Sequence, residues 1–173
     1  MNNFDEILRL ATGSVGADYF NFRVAQGGIY FRERVYCYEL YHQMRSGWPP
    51  KTEYRLNGEV DKRSHPLIRG NPIPDFIVHK PGITSHDYAV IEVKSASAVS
   101  PNRVMVDIKK FRKFLDFGYK RAIYLIYGSA NENRIQDLVD KAAINHGGTD
   151  RIEIWLHAKV GHPAEMCSNG CSD

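Results

Sequence analysis

Two short segments, Pro74-Asp75-Phe76-Ile77-Val78 and Val90-Ile91-Glu92-Val93-Lys94, carry ionisable residues inside runs that are apolar enough to be buried strands. Asp75 opens the first run, and Glu92 and Lys94 interrupt the second. Side chains alternate across a strand, so Glu92 and Lys94, two residues apart, share a face. A buried strand tolerates an acid and an ammonium on one face only where something compensates them, and a bound cation is one such compensation. A third run, Arg121 to Tyr127, is continuous and reads as a strand covered on both faces.

The remaining segments supply those covering layers. Residues 31–45 contain neither Gly nor Pro and read as a helix that Gly47 and the Pro49-Pro50 pair end. A partly alternating stretch, 53–61, is expected to be the first strand of a sheet. The second, 75–79, and the third, 88–94, are joined through Pro81 and Gly82. Ser100 is expected to cap a helix with Pro101 at its first position; Val104, Ile108, Phe111 and Leu115 repeat at helical spacing, and Gly118 is the stop. Asn131 caps another helix that ends at Gly147, and Ile152 to His157 form a last strand. The order is helix, three strands, helix, strand, helix, strand: an α/β sandwich with a mixed central sheet. Residues 1–30 show only a short amphipathic start (Phe4, Ile7, Leu8) followed by glycines.

At 173 residues the chain fits one domain, expected over 1–160, with a core that needs no disulfides. No apolar run approaches the ~20 residues of a membrane span, and the first residues lack a secretory pattern, so a cytoplasmic protein with no membrane partner is expected. The net charge of +3 excludes a globally basic nucleic-acid binder and leaves room only for a local basic surface. The three cysteines form no disulfide framework. Cys167 and Cys171, with His162, match no common zinc spacing and read as part of a frayed, reduced tail over 161–173.

Asp75, Glu92 and Lys94 suit metal-assisted hydrolysis of a phosphodiester. Two carboxylates on adjacent strands can hold Mg²⁺, which takes a few carboxylates and fills its other positions with water and phosphate oxygens. The backbone carbonyl of Val93 is a further candidate ligand. Lys94 would orient or deprotonate the attacking water, or donate to the scissile phosphate. On α-helical spacing Lys109, Arg112 and Lys113 lie at i, i+3 and i+4, a candidate ridge for nucleic-acid phosphates. Glu59 and Asp61 read first as a solvated hairpin end and His65 as an incidental loop residue.

Pro74-Asp75 followed by Glu92-Val93-Lys94 on the next strand resembles the PD-(D/E)XK signature of restriction-endonuclease-like nucleases, and the element order over residues 31–128 is similar to that superfamily's core. The resemblance implies a restriction-endonuclease-like fold, Mg²⁺-dependent cleavage with Mn²⁺ able to substitute, and DNA as substrate. It also implies a helical glutamate that contacts the metal directly or through water. Glu39 is the expected position; Glu33, between Arg32 and Arg34, is assigned a surface role. The helix after the third strand lacks the Gln-x-x-x-Tyr element of the exonuclease-like subgroup, so an endonuclease is expected. No separate recognition domain is visible, which leaves specificity to loops, a homodimer partner or a larger complex. Two alternatives stand beside this reading: a non-catalytic nucleic-acid-binding module on the same fold, and an interaction domain whose charges form internal ion pairs.

Overall fold

The computed structural model describes residues 3–25, 27–59, 73–83, 87–144 and 151–167. Asp61, His65, Gly147 and Cys171 lie outside these residues. In chain order the elements are α1 (Phe4–Gly13), α2 (Ala17–Phe20), β1 (Phe22–Arg23), β2 (Ile29–Tyr30), α3 (Glu33–Ser46), β3 (Arg55–Gly58), β4 (Phe76–His79) and β5 (Ala89–Ser95). There follow a short 3₁₀ turn (Ala96–Ala98), α4 (Pro101–Asp116), β6 (Arg121–Tyr127), α5 (Glu132–Ile144), β7 (Ile152–His157) and β8 (Glu165–Met166).

Six strands form one mixed sheet in the order β3-β4-β5-β6-β7-β8. The β3–β4, β4–β5 and β7–β8 pairs are antiparallel, whereas β5–β6 and β6–β7 are parallel. The two parallel pairs are joined through α4 and α5. Successive crossovers of one hand that step in one direction across a sheet leave their helices on the same face. Ile77, Val90, Ala122, Tyr124 and Ile126 accordingly pack with α4 and α5, while Val78, Ile91, Val93, Ile123 and Leu125 pack with α1 and α3 on the other face. This period-two division makes the middle strands apolar throughout.

The helix boundaries follow local chemistry. Pro101 stands at the first position of α4, where its missing N–H costs nothing and its φ is already helical. The Ser100 side chain makes no capping hydrogen bond, contrary to expectation; only its carbonyl engages, accepting from Val104 N–H at 2.9 Å. Asn131 does cap α5, its Oδ1 accepting from Arg134 N–H at 3.0 Å. Gly118, at φ +98°, closes α4: the N–H of Tyr119 donates to Phe114 O and that of Gly118 to Leu115 O, both at 3.1 Å, which satisfies two carbonyls of the last turn.

Two parts of the fold depart from the sequence reading. The first thirty residues contain α1, α2 and a two-stranded hairpin, and α1 packs on α3. Arg121 binds this segment to the sheet, with its guanidinium 2.7 Å from Asp5 and over the Phe4 ring. The expected tail from residue 161 is also tied down as far as Cys167. Ala164 N–H donates to Thr12 Oγ1 at 2.8 Å, β8 pairs with β7, and Cys167, itself buried, donates its N–H to Ile154 O at 2.8 Å. Alternation alone could not reveal a two-residue edge strand. Among the described residues no helix is long and apolar enough to cross a membrane.

Gly128 ends β6 at φ +100°, and a Cβ there would lie 3.2 Å from the Phe31 ring; a Cβ on Gly118 would meet nothing within 4 Å. Gly118→Ala is therefore expected to cost about 1–2 kcal/mol of backbone strain alone, and Gly128→Ala measurably more. Urea titration of the two variants checks this. Equal costs would show that the Phe31 contact is slack.

Candidate functional site

The register of β4 and β5 brings the first two residues together. Phe76 pairs with Ile91 and Ile77 with Val90, so one step further Asp75 stands opposite Glu92. Asp75 Oδ2 accepts the Val93 N–H at 2.7 Å, which fixes the carboxylate beside the strand. Val90 faces α4 and α5, and alternation places Glu92 and Lys94 on that same face. Asp75, Glu92 and Lys94 thus lie on one face of the sheet at the end of β5, but among the described residues no single cleft is lined by all three.

Glu92 is the centre of the arrangement. Only 4% of it is exposed, yet it is neither unpaired nor alone. Its Oε1 accepts from Lys94 Nζ at 2.9 Å, and Lys110 Nζ lies 2.7 Å from Oε2. The second contact is an ion pair by distance but falls outside hydrogen-bond angles, since Oε2 has no directed donor. Lys94 also donates to Val93 O at 3.2 Å. Lys110 lies 3.8 Å from Asp107 Oδ1, and Asp107 Oδ2 accepts from Tyr124 OH at 3.1 Å.

The helical acid that reaches this cluster is Glu33, which corrects the placement expected for Glu39. Glu33 Oε2 is 3.9 Å from Lys94 Nζ, and its Oε1 accepts the Ser95 N–H at 3.3 Å. Glu39 instead accepts from Gln43 Nε2 at 2.7 Å along its own helix. The reason is helical phase. The buried residues of α3 are Tyr36, Cys37, Leu40 and Met44; Glu33 continues that stripe one turn back, whereas Glu39 is rotated off it. The flanking arginines that suggested a surface role for Glu33 point elsewhere for the same reason.

The same phase governs α4. Val104, Asp107, Ile108, Phe111, Phe114 and Leu115 are buried, so Lys109 and Lys113, both exposed, sit on the side turned away from the sheet, and Arg112 is half-buried on the flank opposite Lys110. The flank beside the site carries Arg103, Asp107 and Lys110 at i, i+4 and i+7. From the sequence Lys110 and Arg103 count only among the basic residues around the apolar stripe, and Asp107 is not a candidate. A usable signal existed, because Asp107 interrupts the apolar stripe that Val104 and Ile108 define.

Burial pushes the Asp75 carboxyl up to about 7, and the facing Glu92 charge adds to the rise; the Val93 N–H, Lys94 and Lys110 oppose it. Burial likewise raises Asp107, against the pull of Lys94. For Lys94 burial disfavours the ammonium, but Glu92, Asp107 and Asp75 outweigh it and hold its pKa above the ordinary lysine range. Neighbouring Cys37 is kept as a thiol chiefly by burial, with Asp75 contributing. Burial pushes the Cys167 thiol up to about 12, which leaves it protonated and unreactive.

Clefts open on both sides of the cluster. One of about 450 Å³ is lined by Glu33, Lys94, Asn102, Arg103, Val106 and Asp107. The other, about 330 Å³, has Asp75 in its wall together with Tyr38, Tyr41, Asn57, Glu59 and Phe76. Tyr38 is 62% exposed, and the Tyr41 ring lies nearly parallel to Phe76. Lys94 and Asp75 are thus both reachable from solvent, though from different sides.

Among the described residues no group of three or more His, Cys, Asp or Glu side chains is arranged to hold a metal ion. Asp75 and Glu92, opposite each other on paired strands, and the Val93 carbonyl beside Lys94 offer only oxygen donors. This set suits a hard cation that keeps several waters, and burial of Glu92 between two ammonium groups shows that the position demands positive charge. No protein-family model matches the chain, and no curated protein matches it in sequence.

The Asp75 shift sets a pH dependence. Between about 4 and 7 the folded chain holds a proton at Asp75 that the unfolded chain has released, so this group's contribution to stability falls as pH rises through that window and is flat above it. Asn at position 75 keeps an oxygen for the Val93 N–H and carries no charge. Asp75→Asn is expected to raise the Tm of the metal-free protein by at least about 2 °C at pH 8 and by less at pH 5, read by differential scanning calorimetry. An unchanged difference between the two pH values would refute the buried-carboxyl account.

Proposed function

We propose that the chain is a divalent-cation-dependent nuclease with a restriction-endonuclease-like fold that hydrolyses phosphodiester bonds of DNA. The observation that carries this reading is the juxtaposition of Asp75 and Glu92 across β4 and β5, with Lys94 on the same face at the mouth of a cleft. A Mg²⁺ or Mn²⁺ ion bound there lowers the pKa of a coordinated water and offsets charge on the transition state.

The chain's own residues supply the rest. Asp75 and Glu92 would hold the cation with the Val93 carbonyl. Lys94, whose ammonium is stabilised by its carboxylate neighbours, is suited to donate hydrogen bonds to the attacking water or the scissile phosphate, and poorly suited to take a proton from either. Glu33 positions Lys94 and the Ser95 backbone. Arg103 and Asn102, in the wall of the same cleft, offer donors to phosphate oxygens. This assignment moves the phosphate contacts from Lys109, Arg112 and Lys113 to the site flank of α4.

One observation favours a second reading, a non-catalytic domain with an internal charge cluster: both Glu92 oxygens already face ammonium groups. Incubation with circular DNA, linear DNA and RNA in Mn²⁺ separates the two. Wild type is expected to cut the circle, with Glu92→Ala and Lys94→Ala reduced by roughly 10²-fold or more. Cleavage of none of the three substrates would favour the charge-cluster domain. Within an active enzyme, Glu33→Gln is expected to lower kcat at least about tenfold, while Glu39→Gln leaves it unchanged; the reverse pattern would restore the original assignment of Glu39.

A further inference from the structure

Resting on that metal-dependent reading, we propose that Lys110 is a built-in counter-cation of the Glu92 carboxylate, seated where a divalent ion binds and displaced when the ion enters. Lys110 approaches Glu92 from α4 rather than from the sheet, so its side chain can leave without disturbing β5. The two ammonium groups on Glu92 are not equivalent. Lys94 donates hydrogen bonds to Glu92 Oε1 and to Val93 O. Lys110 is 2.7 Å from Oε2 yet is not aligned for a hydrogen bond, so proximity of charge holds it there. With a single ion pair to Glu92 against the two hydrogen bonds of Lys94, Lys110 is the cation more readily exchanged.

A second seat for Lys110 is already present. Asp107 Oδ1 lies 3.8 Å from its Nζ, and the Tyr124 hydroxyl occupies the other oxygen of Asp107, fixing that carboxylate. A small movement of the Lys110 stem turns this long contact into a direct one and uncovers Glu92 Oε2. A divalent ion and an ammonium cannot share one carboxylate oxygen at contact distance, because like charges repel strongly at low dielectric. Lys110 therefore tunes cation affinity: it keeps a buried carboxylate compensated in the empty site and sets a threshold that the ion must exceed.

Titration calorimetry of Mn²⁺ into the full chain tests this without reading activity. Lys110→Met is expected to bind Mn²⁺ about tenfold more tightly than wild type, whereas Lys110→Arg, which keeps the charge, binds no more tightly. Removing the counter-cation leaves Lys94 as the remaining cation against Glu92 among the described residues, so the metal-free Tm of Lys110→Met falls, and saturating Mn²⁺ raises it by a larger increment than in wild type. Lys110→Gln serves in the same role if the Met variant does not fold. Wild-type binding with an equal or weaker affinity in the neutral variants would overturn the displacement proposal and leave the nuclease reading standing. No Mn²⁺ binding by wild type or by any variant would overturn both.

Discussion

A carboxylate removed from water between two ammonium groups is the constraint around which this fold is arranged. At about 3 Å and an effective dielectric of about 20, each attraction is roughly 5 kcal/mol, of the same order as the several kcal/mol lost in desolvating each ion. Neither dominates, so Glu92 is tolerated rather than strongly stabilising, and only while its partners stay in place. The same cost shows in Asp75, which stands opposite and tends to hold its proton chiefly because it is buried, with the Glu92 charge adding to the rise. A cluster balanced this closely responds to any cation that enters it.

The sheet topology makes the cluster possible. Antiparallel β4 and β5 set Asp75 against Glu92, and the change to parallel pairing at β6 sends the chain through α4, whose first turns then border the end of β5. From the opposite face α3 reaches round the same strand end with Glu33. Four elements thus meet where β5 stops, and the two clefts open there. The aromatic layer under α3, in which Tyr36 and Tyr127 stack at 4.0 Å and the Tyr36 hydroxyl meets His157 Nδ1 at 2.7 Å, makes a stiff base for the first turn of that helix.

The central strands and the two crossover helices are legible because β5 and β6 are apolar runs of strand length, while α4 carries a 3.6 period with a start signal in Pro101 and a stop in Gly118. Asp75, Glu92 and Lys94 were legible because charge inside an apolar run is anomalous. Glu39 was chosen over Glu33 on the company each keeps in sequence, a criterion blind to helical phase, and the buried stripe of α3 settles the placement otherwise. Lys109, Arg112 and Lys113 do form a spaced set, but spacing cannot tell which side of a helix faces a cleft. Lys110 and Asp107 look like ordinary members of a charged helix, since the groups that tie them to the sheet, Glu92 and Tyr124, are seventeen or more residues away.

What the sequence determined by itself was the local grammar from residue 31 to 157: which segments are strands or helices, and that residues 92 and 94 share a face, because this depends on neighbours within one or two turns. What only the tertiary structure decided was which distant groups neutralise that face. Lys110, Asp107 and Glu33 enter through the packing of α3 and α4 on the sheet. The attachment of residues 164–167 to Thr12 and β7 likewise joins opposite ends of the described chain. The contacts of Glu92 with Lys110, of Ser95 with Glu33 and of Ala164 with Thr12 join residues far apart in the chain, and no short-range pattern encodes them.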